Sequence, residues 1–399
     1  MIHVKKQNRA SILELLYSHG GLSRKEIAAR LHLTPAAITL ITNDMIKEGL
    51  LEEIGEELNS SRVGRKEVII DIKRNKFYAI GVNINLNCTK IICIDLKGRT
   101  LFEHRFNTSE FNTPEELVKH ACSVIEDSIK KKPEIKKECI VGIGIGVRGI
   151  VDNQNGVSLE SFGMWRDNVE VKRMFAEQVK LPVSVDNNVR SIARGQLFYS
   201  KEKPSSMLLV KYGPGIGGAL AISEKLFTGY NYRATELGHV VVDPLGVPCR
   251  CKKCGCLETI VSYDAIERSI KAVYSQRSTP VLYELTQGNF PGFDIDIIMK
   301  AYKGGDMTIR DIMSRAMRYF ALTIKNAITL YDPEKVVLYG EVFENKDFLE
   351  LLYDFMLDNN HYKDIRTLLV KSEYNGELDT KGPASLAIKH FFSNGGVIN

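Results

Sequence analysis

The sequence predicts an α/β protein in two parts, a small winged helix-turn-helix followed by a larger, two-lobed α/β body. Three observations predict it. Residues 1–75 carry three helical patterns and then two β-type runs around a basic turn. From residue 77 apolar β-runs alternate with amphipathic helical stretches. At Ser206 that alternation begins a second time, giving two successive lobes and, by expectation, a cleft between them for a ligand.

In the front part, residues 9–17 place Ile12, Leu13, Leu15 and Leu16 toward a core. "SRKEIAARLHL" opens on Ser23 and Glu26, a spacing that lets each side chain bond the other's backbone N–H at a helix start. "TPAAITLITNDMIKEGL" has Thr34 as N-cap and Pro35 at the first helical position. Ile38, Ile41 and Met45 form its inward stripe and Gly49 ends it. "LLEEI" and "EVIIDI" read as strands, and "GEELNSSRVGRK" between them ends basic at Arg62, Arg65 and Lys66, like the tip of a β-wing. A capped helix pair with a cationic wing is a DNA-binding layout. The third helix would enter the major groove with Ala36, Ala37, Thr39, Leu40 and Asn43 outward. Its two alanines favour contact with thymine methyls. Arg65 suits an A·T-narrowed minor groove, and Arg62 and Lys66 suit phosphates. The expected partner is double-stranded operator DNA, AT-rich.

In the body, "FYAIGVNI", "TKIICIDLKG" and "TLFEHRF" read as strands. A helix over 113–131 starts on Thr113 and Pro114, and "CIVGIGIGV" is a buried strand. A helix near 168–179, a strand "PVSV" and a helix over 188–199 follow. The second set comprises "SMLLVKYG", "IGGALAI" and "EKVVLYG", with helices at about 307–330 and 380–392 flanking the last strand.

The bulk numbers set limits. At 399 residues, 44% hydrophobic and 26% charged, the chain is ordinary globular material. No apolar run reaches the roughly 18 residues a membrane helix needs, and the start lacks a signal-like core, so the expectation is a cytoplasmic protein. The net charge of +5 is mild, and residues 1–75 hold twelve Lys/Arg against ten Asp/Glu; DNA binding therefore rests on pattern and not on bulk charge. Cys88, Cys93, Cys122 and Cys139 lie apart in apolar surroundings and read as buried thiols. The other four of the eight cysteines fall within residues 249–256, ten residues after His239. In a reducing compartment such a cluster points to a metal. Thiolates and an imidazole suit tetrahedral Zn²⁺, but His239, Cys249, Cys251, Cys254 and Cys256 are five donors for four positions. From spacing, Cys251 and Cys254 form a C-x-x-C pair that could supply two of them.

Several stretches together resemble the ROK family, which groups sugar-responsive repressors and sugar kinases on a two-lobed, actin-like (ribonuclease H-like) fold. They are the helix-turn-helix, "GIGIGVRGIVD" (142–152), "VDNNVRSIARGQ" (185–196), "GPGIGGALAI" (213–222), and "ELGHVVVDPLGVPCRCKKCGCLE" (236–258). The last matches the family pattern E-x-G-H then C-x-C-G-x-x-G-C-x-E through Glu236, Gly238, His239, Cys249, Cys251, Gly255, Cys256 and Glu258. The resemblance implies a structural zinc on His239, Cys249, Cys251 and Cys256, leaving Cys254 over. It implies sugar contacts from Asn187, Asn188, Glu236, His239 and Glu258, within a body spanning residues 76–399. Arg190, just beyond "DNN", reads as part of a solvated helix face, with an anionic group of the ligand as its other possible partner.

The same resemblance exposes what is missing for phosphoryl transfer. The family's kinases carry a base Asp where Asn188 stands here, and an amide does not accept a proton near neutral pH. Their first phosphate loop, D-x-G-G-T, is replaced by Asn83, Asn85 and Leu86; the "GG" near adenosine is Tyr339-Gly340-Glu341. Only the glycines at 213, 215, 217 and 218 survive. The expectation is a non-enzymatic, homodimeric (or dimer-of-dimers) repressor with a sugar or sugar-derivative effector. Its competitors are a residual sugar kinase and a metal-responsive regulator.

Overall fold

The computed structural model describes residues 2–56, 67–357, 364–374 and 376–398. They form two compact units, Met1–Lys203 with Glu377–Asn399, and Pro204–Gly376.

The first unit opens with α1 (Ile2–His19), β1 (Leu22–Ser23), α2 (Arg24–Leu31), α3 (Pro35–Lys47), β2 (Leu51–Glu56) and β3 (Val68–Ile72). The three strands pair antiparallel in the order β1-β3-β2. The Ser23/Glu26 capping box forms in both directions, with Ser23 N to Glu26 Oε2 at 2.8 Å and Glu26 N to Ser23 Oγ at 3.3 Å. Thr34 Oγ1 caps α3 by accepting from Ala37 N, and Ile38, Ile41 and Met45 are buried. Helix α1 begins well before residue 9. Its first turns have no apolar stripe to reveal them; tertiary bonds hold them, among them Lys5 to Asp44 at 2.8 Å and Lys6 to Asn394 at 2.8 Å. Arg62, Arg65 and Lys66 lie outside the described residues.

The unit continues with β4 (Tyr78–Ile84), β5 (Cys88–Asp95), β6 (Thr100–Asn107), α4 (Pro114–Lys130), β7 (Ile140–Val147), β8 (Ile150–Asp152), β9 (Val157–Glu160), α5 (Val171–Val179), β10 (Val183–Asn187) and α6 (Asn188–Tyr199). Its sheet runs β10-β7-β4-β5-β6, parallel across the first three strands and antiparallel across the rest. Cys93 and Cys122 are buried as expected, whereas Cys88 and Cys139 are only half-buried because each sits at a strand's first residue or just before one.

The second unit holds β11 (Ser206–Lys211), β12 (Gly217–Ile222), β13 (Lys225–Leu226), α7 (Glu258–Val261), α8 (Tyr263–Val273), α9 (Pro280–Leu285), α10 (Ile295–Lys303), α11 (Met307–Tyr331), β14 (Lys335–Tyr339), α12 (Lys346–Leu357), α13 (Ile365–Leu368) and β15 (Leu369–Lys371). Its sheet order is β13-β12-β11-β14-β15. Helix α11 packs Phe320 and Ile324 into the core that holds Val336 and Leu338 of β14.

The last helix, α14 (Leu378–Ser393), does not flank β14 as expected; it returns to the first unit. Periodicity shows that a helix has a buried face but not which sheet will cover it. The sheet shows the choice: a Cβ on Gly144 of β7 would stand 1.8 Å from Pro383 O, and one on Gly81 of β4 would stand 2.3 Å from Thr380 O. The glycines of "GIGIGV" thus admit a helix backbone to the sheet. Phe391 and Phe392 at the far end of α14 share one core with Ile12, Leu13, Leu16, Ile38 and Ile41. Among the described residues, no helix is long and apolar enough to cross a membrane.

Candidate sugar and metal site

In the second unit, backbone bonds fold the cysteine stretch onto itself. Gly255 O accepts from Val242 N at 2.9 Å, Leu257 N gives to Val240 O at 2.9 Å, and Cys249 N gives to Lys253 O at 2.7 Å. Gly255 has φ +65, and a Cβ there would lie 1.5 Å from Asp243 O, so only glycine fits this crossing. The result brings His239, Cys249, Cys251 and Cys256 together with their ligand atoms all within 4.8 Å of one another. His239 Nδ1 is 3.5 Å from Cys249 Sγ, and Cys251 Sγ is 3.5 Å from Cys256 Sγ. With Zn–S near 2.3 Å, a tetrahedral ion separates its sulfurs by about 3.8 Å, so this donor set fits zinc. Nδ1 is the ring nitrogen on the metal side. Burial and the adjoining Cys251 and Cys249 push the Cys256 thiol up to about 12, and burial raises Cys249 too. A bound divalent cation is what would let such thiols ionise side by side. Cys254 is exposed and outside the cluster. The metal would supply charge and cross-linking; the chain itself supplies Lys253, whose Nζ holds His239 O at 2.5 Å.

The two glutamates flank this knot. His239 N gives to Glu236 O at 3.0 Å, and Glu258 opens α7 two residues after Cys256. Glu258 Oε2 accepts from Ile216 N at 3.0 Å, so a carboxylate rests on the surviving glycine-rich loop. Gly340 follows β14, where a Cβ would lie 2.2 Å from Tyr212 O.

Asn187 and Asn188 belong to the first unit, at the junction of β10 and α6. Asn187 Oδ1 caps α6 by accepting from Val189 N and Arg190 N, and its Nδ2 gives to Gly149 O at 2.6 Å. Asn188 Nδ2 gives to Asn85 Oδ1 at 2.7 Å, and Asn85 Nδ2 gives to Asn83 Oδ1 at 3.1 Å. Three amides thus form one chain, ending at a fully buried Asn83 Nδ2 with no hydrogen-bond partner. No carboxylate takes part in it.

Arg190 is not on a solvated face. It is 1% exposed, with Nε on Asp186 Oδ1 at 2.7 Å and Nη2 on Val151 O at 2.8 Å. The i, i+4 spacing from Asp186, at the end of a strand, turns the guanidinium inward, which a helical reading of 188–199 alone does not show.

On α3, Ala36, Thr39, Leu40 and Asn43 are exposed and Ala37 is half-buried. One contact of α3 escaped the sequence reading. Arg24 Nη2 bonds Asn43 Oδ1 at 2.9 Å and Glu53 Oε1 at 3.0 Å, tying the α3 amide to α2 and the wing strand. Its position directly after the Ser23 cap was the available signal.

The ROK family model matches residues 79–389, and the MarR family model matches residues 6–53. The chain is 29% identical to the DNA-binding transcriptional dual regulator NagC of Escherichia coli over 93% of this chain and 89% of that one. It is 26% identical to the xylose repressor of Caldicellulosiruptor bescii, covering 92% and 94%. Among solved structures, a ROK family transcriptional regulator described as a homolog of the E. coli MLC protein superposes with a TM-score of 0.78 at 22% identity, covering 99% of this chain and 98% of that one. A ROK family glucokinase from Streptomyces griseus, with glucose and AMPPNP, gives 0.66 at 24% identity over 77% of this chain and 98% of that one. With a MarR-type winged helix ahead of an actin-like α/β body, the chain belongs to the ROK family.

Proposed function

We infer that the chain is a sequence-specific transcriptional repressor whose ROK body, residues 76–399, binds a sugar or sugar derivative and no longer transfers phosphate. The observation that carries this reading is the amide chain Asn83–Asn85–Asn188. An amide at 188 cannot take a hydroxyl proton, and loss of a general base costs about 10²–10⁴ in rate. Amides at 83 and 85 leave no carboxylate to orient Mg²⁺. The names of the relatives, NagC and the xylose repressors, support regulation over catalysis.

In this reading Asn187, Asn188, Glu236, His239 and Glu258 contact the sugar, and zinc on His239, Cys249, Cys251 and Cys256 fixes the segment that carries both glutamates. Residues 1–75 bind operator DNA as part of a homodimer, with half-sites about 34 Å apart or multiples of it. Ala36, Ala37, Thr39, Leu40 and Asn43 read the major groove, Arg65 an AT-rich minor groove, and Arg62 and Lys66 the phosphates. Sugar binding shifts the population away from the DNA-competent form.

The test is twofold. ATP with a monosaccharide panel should give no sugar phosphate, and one sugar should release the operator. Steady turnover would sink the reading in favour of a kinase.

A further inference from the structure

Trp165 is the only tryptophan of the chain, and it lines a pocket of about 180 Å³ in the first unit. The lining is mixed in character. Trp165, Phe111 and Leu86 give aromatic and aliphatic surface; Thr108, Ser109 and Thr113 give hydroxyls. A cavity of about 150 Å³ takes one benzene ring, so this pocket has room for a single six-membered ring. Aromatic surface and hydroxyls around one space suit a ring that is apolar on its C–H face and polar at its edge, which describes a sugar. The Trp165 backbone N–H is held by Ser161 Oγ at 2.6 Å, while its indole N–H has no partner among the described residues and is a free donor.

Both walls are continuations of segments that hold Asn187 and Asn188. Leu86 directly follows Asn85, which accepts from Asn188 Nδ2 at 2.7 Å. The 163–165 wall follows Glu160 and Ser161, which pack against Gly149 so closely that a Cβ there would lie 2.0 Å from Glu160 O. Gly149 O in turn accepts from Asn187 Nδ2 at 2.6 Å. The pocket is therefore tied to the asparagine pair on both sides, through Asn85 next to Leu86 and through Gly149 and Ser161 ahead of Gly163. Leu86 also stands where the family's kinases have a phosphate-loop glycine, so the side chain that obstructs a phosphate is the one that builds this wall.

We propose that the Trp165 pocket is a second sugar-ring subsite, so that the effector is a disaccharide or longer glycan, one ring at Asn187–Asn188 and the next against Trp165. The proposal rests on the sugar-effector reading above and narrows it.

The single tryptophan makes the test direct. The full chain is titrated with xylose, glucose and N-acetylglucosamine and with their β-1,4 and α-1,4 disaccharides, by calorimetry and by intrinsic emission. At least one disaccharide should bind about tenfold tighter than its own monosaccharide and shift the emission, with the monosaccharide leaving emission unchanged. Trp165→Leu should reduce that disaccharide to the affinity of the monosaccharide, whose own binding stays within about twofold. Ser109→Phe, which fills the pocket from an exposed position, should do the same without removing a core residue. Disaccharides that bind no tighter than monosaccharides, or an advantage that survives both variants, overturn the second subsite and leave the sugar reading standing. Aryl monoglycosides that bind tighter than every disaccharide overturn it in favour of an apolar substituent. If no sugar of either size binds, the sugar-effector reading itself falls.

Discussion

Arg190 shows how much one buried charge can decide. Its guanidinium neutralises Asp186 at 2.7 Å, and Arg194 Nη2 is 3.9 Å from the other carboxylate oxygen. Removing one partner of a buried pair leaves the other charge stranded, at a cost of about 3–5 kcal/mol. Arg190→Leu should therefore unfold at clearly lower urea, and adding Asp186→Leu should recover part of the loss; additive damage in the double variant would contradict the pairing. His32 is the opposite case. It closes α2 at φ 53 and ψ 40 with an exposed side chain. A non-glycine residue there costs about 1–2 kcal/mol, and glycine gives back about 0.4–1 kcal/mol through the unfolded chain. His32→Gly should raise the urea midpoint by the equivalent of about 0.5–1 kcal/mol, and an unchanged or lower midpoint would show that the turn is not strained.

At the scale of elements, the cysteine stretch is a clamp on two short pieces of backbone, the turn after Glu236 and the start of α7 at Glu258. Zinc binding there should couple sugar affinity to metal. Chelation, or Cys251→Ser, should weaken effector binding at least about tenfold while the far-UV spectrum stays helical, because none of the four donors lies in a strand of either sheet. Effector affinity that is indifferent to chelation would make the clamp irrelevant to the sugar. Elements of this kind were legible where local chemistry specifies them: the Ser23/Glu26 box, the Thr34 cap and the buried strands are each written in short spacings, whereas spacing alone left five candidate metal donors and only the family resemblance singled out the four that come together. Which partner an element meets was not legible. The face of α14 is apolar in the sequence, but only the missing Cβ atoms of Gly81 and Gly144 steer it to the first sheet. The same holds for Arg190 and for the Asn83–Asn85–Asn188 chain, which joins residues 103 apart through one hydrogen bond.

For the molecule as a repressor, the decisive feature is that the winged helix has no core of its own. Ile12, Leu13 and Leu16 share theirs with Phe391 and Phe392 of α14, and Tyr17 stacks on Phe198 of α6 with ring centroids 3.9 Å apart. Helix α14 thus runs from the strands beside Asn188 to the helices that carry α3, so the first lobe and α3 should move as one body. Arg9 is the polar rivet of that joint. It is 7% exposed, and it gives Nε to Gly395 O at 2.6 Å and Nη1 to Glu48 Oε1 at 2.8 Å, just past the end of α3. Its hydrogen bond holds the Glu48 carboxyl below its ordinary value, against the opposing pull of burial. A depressed carboxyl stabilises the fold at pH values above its unfolded pKa, and that stability drains away as pH falls through the folded value. Arg9→Ala should cost about 1–3 kcal/mol at neutral pH, because Gly395 O loses its donor. The gap between wild type and variant should begin to narrow as pH falls past the ordinary glutamate value, and the narrowing should be complete only once pH has passed the lower folded value of Glu48. Amide exchange should quicken in α1 and α3 but not in β11 or β14 of the second unit. A variant as stable as wild type, or a gap that widens in acid, would mean that the joint is held by its aromatic contacts alone.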